Sequence, residues 1–155
     1  MQAQRPRLLI VDDDRAILTL VGTIALKEGF DVATAVGGDE ALRQLTAHPS
    51  DLVLLDLQMP GTTGLEVLRA ISEARHGCRV VLMSGFATID SAVEAVKLGA
   101  EDYLTKPFDL DRVRRLLSAV RGDTERRRTL LDLEGQMAER LEFCGMIGRA
   151  PAMQD

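Results

Sequence analysis

Short apolar runs recur along this chain, and between them apolar residues return every third or fourth position. The runs at 8–12, 31–35, 52–56, 80–84 and 102–105 have the length of strands, and each is followed within a few residues by Gly, Pro or Asp. Between the runs, Ile17, Val21 and Ile24 share one helical face, as do Ala41, Leu42 and Leu45, then Val67, Leu68 and Ile71, then Ala92, Val93 and Val96. A fifth helix opens at Asp109 or Asp111 and carries Val113, Leu116, Leu117 and Val120. Gly29 and Gly99 stand where helix ends belong. Strand and helix alternate throughout, which predicts the α/β class: a doubly wound, five-stranded parallel sheet covered on both faces.

From Arg121 onward the pattern changes. Arg121, Arg126, Arg127, Arg128 and Arg140 balance Asp123, Glu125, Asp132, Glu134 and Glu139, so the segment is solvated and has no net charge. Within it Leu130, Leu133, Met137 and Leu141 recur at coiled-coil steps, weakened by about 1 kcal/mol at Gly135. The stripe predicts a linker helix over 122–142. Gly122 leaves two courses open, a break or a continuous run out of the fifth helix. An isolated helix of this length needs a partner to be stable, and the expected partner is a second copy of the chain, giving a homodimer.

Composition narrows the picture. At 155 residues, 46% hydrophobic and 28% charged, the chain is long enough for one core plus an extension. No apolar stretch approaches a membrane span and the segment after MQAQRPR is too short for a signal peptide, so a cytoplasmic protein without membrane contact is expected. Cys78 and Cys144 are then expected as reduced thiols, and His48 and His76, beside loop signals, as surface residues. A formal net charge of -5 argues against direct nucleic-acid contact by this chain.

The candidate chemistry lies at the strand ends. Residues 51–61, DLVLLDLQMPG, form an apolar run that stops on Asp56, and a carboxylate there is costly unless paired or solvated. In a doubly wound sheet, ligands bind beyond the carboxyl ends of the strands. There the sequence places Asp12, Asp13 and Asp14 after the first strand, Asp56 on the third, Ser84 on the fourth and Lys106 after the fifth. Three converging carboxylates resist ionisation unless a hard cation joins them, and a small oxygen site suits Mg²⁺. A lysine and a hydroxyl facing the same cleft suit a phosphoryl group. The set is arranged for phosphoryl transfer onto or off a carboxylate. Asp14 reads as a helix cap, and Tyr103 reads either as core or as a moving aromatic.

The stretches IVDDD, LVLLDLQMPG, VVLMSG and DYLTKPF, in this order, resemble the receiver domain of bacterial two-component response regulators over about residues 7–121. The resemblance implies a flavodoxin-like strand order of 2-1-3-4-5 and a sensor histidine kinase as partner. It also implies Asp56 as phosphoacceptor and Mg²⁺ on Asp12, Asp13, Asp56 and the backbone carbonyl of Gln58. Ser84 and Lys106 would contact the phosphoryl oxygens, Tyr103 would turn inward on activation, and the Lys106-Pro107 peptide would be cis. FCGMIGRAPAM, residues 143–153, is similar to the opening of the AAA+ domain of sigma-54-dependent transcriptional activators, departing at Ala150. Expected domains are therefore a receiver at 1–121, the linker helix at 122–142, and at 143–155 the start of an AAA+ domain. The rest of the output part, AAA+ and DNA-binding domains, is expected outside this chain. Two departures touch the site: Thr63 stands before the second glycine of PGTTG, and Gln58 and Phe86 flank the phosphoryl position. A rival is a phosphatase resembling the haloacid dehalogenases with Asp12 as nucleophile, although no acidic motif on a strand follows Lys106 and there is no room for a cap domain. A third possibility, an interaction module with a vestigial cleft, sits poorly with intact Ser84 and Lys106.

Overall fold

The computed structural model describes residues 5–59, 61–74, 77–85 and 89–143. Five strands and five helices alternate: β1 (Arg7–Val11), α1 (Arg15–Lys27), β2 (Asp31–Ala35), α2 (Gly38–Ala47), β3 (Leu52–Asp56), α3 (Gly64–Ala74), β4 (Arg79–Ser84), α4 (Ile89–Lys97), β5 (Asp102–Thr105) and α5 (Leu110–Phe143). The strands form one parallel sheet in the order β2-β1-β3-β4-β5. This is the doubly wound fold that the sequence predicts, with order 2-1-3-4-5.

The sheet's period of two sorts the core into two layers. Leu9, Val11, Val53, Leu55, Val80 and Leu82 point to one face, where Ala41 and Leu45 of α2, Val67 and Ile71 of α3, and Ala95 of α4 cover them. Leu8, Ile10, Leu52, Leu54, Val81 and Met83 point to the other, under Leu18 and Val21 of α1 and Val113, Leu117 and Val120 of α5. Central strands buried on both faces read as unbroken apolar runs, which is why β1, β3 and β4 were legible.

Helix ends are set by local chemistry. α1 starts at Asp14, whose Oδ1 accepts from the Ala16 backbone N–H at 2.9 Å. It ends where Phe30 N donates to Ala25 O and Gly29 N to Leu26 O, with Gly29 at φ +94°. The same paired bonds close α4 at Gly99, φ +103°. α5 begins after Asp109, whose Oδ1 accepts from Asp111 N and Arg112 N.

Two local expectations change, and one left open is resolved. β1 stops at Val11, one residue early, because the Asp12 carboxylate folds back to accept from Asp14 N at 2.9 Å and ends the strand. The apolar face assigned to α4 is out of phase: Val93 and Val96 are 47% and 69% exposed, while Ala95 is buried. Leu98 and Ala100, in the turn that closes α4, pack on the same core as Ala95, so this turn and not the valines fixes the helix phase. Finally, α5 passes through Gly122 without a break.

The chain divides into two compact units, Met1–Arg121 and Gly122–Asp155. In the second, Leu130 and Leu133 are exposed, as is Leu131, which lies off their stripe. The side chains of Met137 and Leu141 lie outside the described residues, as do Pro60, His76, Phe86, Cys144 and the rest of 144–155.

Candidate functional site

Parallel register brings the strand ends level. Val11 pairs with Leu55 and Asp56 with Met83, so Asp12, Asp56 and Ser84 emerge side by side. Ser84 pairs with Thr105, and the chain then turns through the cis Lys106-Pro107 peptide. Ligand oxygens of Asp12, Asp13 and Asp56 all lie within 4.8 Å of one another. Asp12 and Asp56 are buried and Asp13 is exposed.

Lys106 enters this cluster from the β5 side. Its Nζ donates to Asp12 Oδ2 at 2.7 Å and stands 3.6 Å from Asp56 Oδ2. Burial works to lower the Lys106 pKa, but the hydrogen bond to Asp12 and the charges of Asp56 and Asp12 outweigh it, and the net shift is upward. Asp56 is pushed up to about 6, first by burial and then by the neighbouring Asp12 charge, against the opposing pull of the Gln58 N–H and Lys106. The Gln58 backbone N–H donates to Asp56 Oδ1 at 3.2 Å. Asp12 has both oxygens engaged, Oδ1 by Asp14 N and Oδ2 by Lys106, whereas Asp56 Oδ2 lies 3.6 Å from Lys106 Nζ.

Ser84 is buried beside the cluster, and its backbone carbonyl accepts from Lys106 N at 2.9 Å, tying β4 to the lysine's loop. Tyr103 is half-buried against the core that holds Leu82 and Ala95, with its hydroxyl buried and without a partner among the described residues. In this conformation the ring packs against that core. Gln58 is exposed, at the mouth of the site.

A match to the family model of the response regulator receiver domain spans residues 8–118. The chain belongs to that family. The transcriptional regulatory protein ZraR of Salmonella typhimurium is 37% identical over 147 residues, 95% of this chain and 32% of its own length. A putative response regulator NtrX-like of Rickettsia bellii is 34% identical over 140 residues, 89% of this chain and 29% of that protein. The chain thus spans about a third of the length of these relatives. Among solved structures, the receiver domain of NtrX from Brucella abortus superposes with a TM-score of 0.68 at 35% identity, over 73% of this chain and 96% of that one. The receiver domain of a putative LuxO repressor protein from Vibrio parahaemolyticus gives 0.74 at 28% identity, over 84% and 97%.

Over these residues the chain is a receiver domain, a regulatory phosphoacceptor domain of signalling and not a classical enzyme. The phosphatase alternative finds no support. No helix among the described residues is long and apolar enough to cross a membrane.

Two contributions were not fully read from the sequence, although Thr63 is a residue expected to be able to cap the next helix. One is a capping box at the start of α3: Glu66 N donates to Thr63 Oγ1 at 3.3 Å and Thr63 N to Glu66 Oε1 at 2.8 Å. The T-x-x-E spacing in TTGLE was the signal for it. The other is Gly64, buried against the end of β3, and a glycine in the first turn of a helix was its only trace.

Proposed function

We propose that Asp56 is the phosphoacceptor, and that phosphorylation there by a sensor histidine kinase switches a transcription-regulating output. The observation that carries this is Asp56 itself: a buried strand-end carboxylate, one oxygen held by Gln58 N, the other facing Lys106, with Asp12 and Asp13 alongside. An oxygen of Asp56 attacks the phosphorus of a phosphohistidine. The P–N bond breaks, the imidazole nitrogen leaves with the electron pair, and an aspartyl phosphate remains. Lys106 and the Ser84 hydroxyl then donate to the phosphoryl oxygens. Hydrolysis by water reverses the modification within the same domain.

The donors fit Mg²⁺: all are oxygens, one carboxylate is exposed to water, and the cluster carries more negative charge than Lys106 offsets. Asp12, Asp13, Asp56 and the Gln58 carbonyl would hold it. When bound, it supplies the charge that lets three carboxylates and a phosphoryl oxygen share one cleft.

Activation runs through Ser84 and Lys106 to Tyr103, whose buried hydroxyl gains a partner as β4 and β5 adjust to the phosphoryl group. The domain division 1–121, 122–142 and 143–155 places a receiver, a linker helix and the start of an AAA+ domain in this chain. The AAA+ and DNA-binding parts of a sigma-54-dependent activator follow in the whole protein. The support is the likeness over 95% of this chain to a transcriptional regulatory protein about three times as long. The setting is cytoplasmic, and two copies pair through Leu130, Leu133, Met137 and Leu141.

Treatment with acetyl phosphate and Mg²⁺, followed by intact mass measurement, is expected to add one phosphoryl group, lost in Asp56→Asn. Labelling retained in Asp56→Asn but lost in Asp12→Asn would return the phosphatase mechanism. Labelling unchanged in EDTA would remove the metal from the reaction.

A further inference from the structure

The tightest backbone approach recorded for any glycine of the described residues lies directly behind the phosphoacceptor. A Cβ placed on Gly64 would fall 2.6 Å from Leu57 Cα and 3.0 Å from the Asp56 carbonyl carbon, and closer still to the Asp56 carbonyl oxygen. Ordinary contact begins near 3.4 Å. Gly64 N also donates to Leu57 O at 3.0 Å, so the first residue of α3 both touches and bonds the chain immediately after Asp56.

α3 has no slack to move away. One turn on, Val67 abuts the start of α2, where a Cβ on Gly38 would meet Val67 Cγ2 at 2.7 Å and Thr62 Cβ at 2.8 Å. The Thr62 hydroxyl is also held by Asp39 Oδ1 at 3.2 Å. α3 is thus wedged between the α2 start and the β3 end, and each contact is close because one side is a glycine. A methyl group at position 64 must displace the end of β3, which carries Asp56 and the Gln58 peptide.

We infer that Gly64 is a positioning residue for the phosphoacceptor: its missing side chain sets how far the β3 end stands from α3, and so where the Asp56 carboxylate meets Asp12, Asp13 and Lys106. This rests on Asp56 being the acceptor. The shift needed to relieve the overlap is about 1 Å, a displacement that costs up to about a hundredfold in a positioned reaction.

The test compares wild type, Gly64→Ala, Val67→Ala, the double variant and Val113→Ala, whose site is buried on the opposite face of the sheet. Acetyl phosphate labelling rates per folded molecule and Mg²⁺ affinity by amide NMR shifts are read for each. Gly64→Ala is expected to label about 30- to 100-fold more slowly and to bind Mg²⁺ about tenfold more weakly, while Val113→Ala stays within about twofold. Trimming Val67 in the Gly64→Ala background gives α3 room to retreat and is expected to restore labelling to within about fivefold of wild type, where two independent core defects would only compound. Gly64→Ala within twofold of wild type on both readouts, or a double variant no faster than Gly64→Ala, overturns the inference. If Gly64→Ala does not fold alone, the double variant decides: near-normal labelling supports the wedge, and a folded but unlabelled protein overturns it. If wild type takes no label, or Asp56→Asn keeps it, the acceptor assignment fails. The Mg²⁺ affinities then decide the positioning role, weaker binding in Gly64→Ala supporting it and unchanged binding overturning it.

Discussion

Asp56→Asn is expected to stabilise the metal-free protein, by an amount that grows with pH. The folded state raises the Asp56 pKa from 3.8 to about 6, chiefly because burial disfavours the charge, with the Asp12 carboxylate adding to the effect. Between those values the folded chain binds a proton that the unfolded chain has released, so wild-type stability falls as pH rises through the window. Above it the penalty is complete, on the order of 3 kcal/mol near pH 8, and near pH 5 it is about half of that. Asparagine removes the ionisation while keeping an acceptor for Gln58 N, so the two proteins should differ by these amounts. Urea melts in EDTA from about pH 5 to 8 measure the gap directly. Excess Mg²⁺ should close it, since the ion binds folded wild type better than the variant. A gap that does not change with pH, or an asparagine variant less stable than wild type at pH 8, would refute burial of a charged Asp56 as its origin.

Lys106→Met should lower metal-free stability by about 2 to 4 kcal/mol, because the fully buried Asp12 loses its cation, and Mg²⁺ should recover part of that loss. Ala substitutions at Gly29 and Gly99 both force a side chain to positive φ, but only at Gly29 does the Cβ meet Arg121 Nη1, at 3.0 Å. Gly29→Ala should therefore cost more than the roughly 1 kcal/mol expected at Gly99, as thermal melts would show. Thr63→Ala should cost about 1 kcal/mol by removing the α3 cap, and an undiminished melting temperature would count against the capping box. Sedimentation equilibrium should give a dimer for the whole chain and a monomer for Leu133→Glu with Leu141→Glu. Burial of each leucine is worth roughly 1.5 to 3 kcal/mol before association costs. A monomeric wild type at tens of micromolar removes the linker contact.

The carboxylate cluster was legible because its members stand at the ends of apolar runs, where a charged residue is anomalous, and because parallel register makes strand ends converge. Other features depend on distances that no single-chain pattern encodes. The Lys106 contact with Asp12 was hidden because a lysine facing a phosphoryl site invites a phosphate partner, while without phosphate the nearest buried anion takes it. The phase of α4 was hidden because Val93, Ala95 and Val96 cover most of the helix circumference, so only the packing of Leu98 and Ala100 picks the buried side. Tyr103 was placed on the right strand, but its packing against the core of Leu82 and Ala95 depends on the fold and not on its own position in the sequence. The exposed Leu131 beside Leu130 and Leu133 shows the limit of a stripe: periodicity counts apolar positions on a face and is silent about an apolar residue off it.

Lys106 also explains how one cleft can serve both as resting site and as switch. Asp12, Asp13 and Asp56 carry three negative charges against one from Lys106, leaving two unbalanced, the number a single divalent cation neutralises. On the proposed acceptor role, phosphorylation would remove the Asp56 carboxylate charge and add about two on the phosphoryl group, so the cleft would become more negative by about one charge. That extra charge would fall within reach of Lys106, while a bound Mg²⁺ would supply Asp12 with a counter-ion. On this proposed route the lysine would be drawn from Asp12 toward Asp56, and its backbone N–H, bonded to Ser84 O, would carry the shift into the ends of β4 and β5. Tyr103 stands three residues before Lys106 on β5 with a hydroxyl that has no partner among the described residues, an arrangement that costs about 1 to 3 kcal/mol as long as it lasts. A strand shift that gives that hydroxyl an acceptor releases free energy of the same order as a two-state switch requires. On the proposed reading, the charge at Asp56 would be coupled to the Tyr103 hydroxyl through one lysine and one strand.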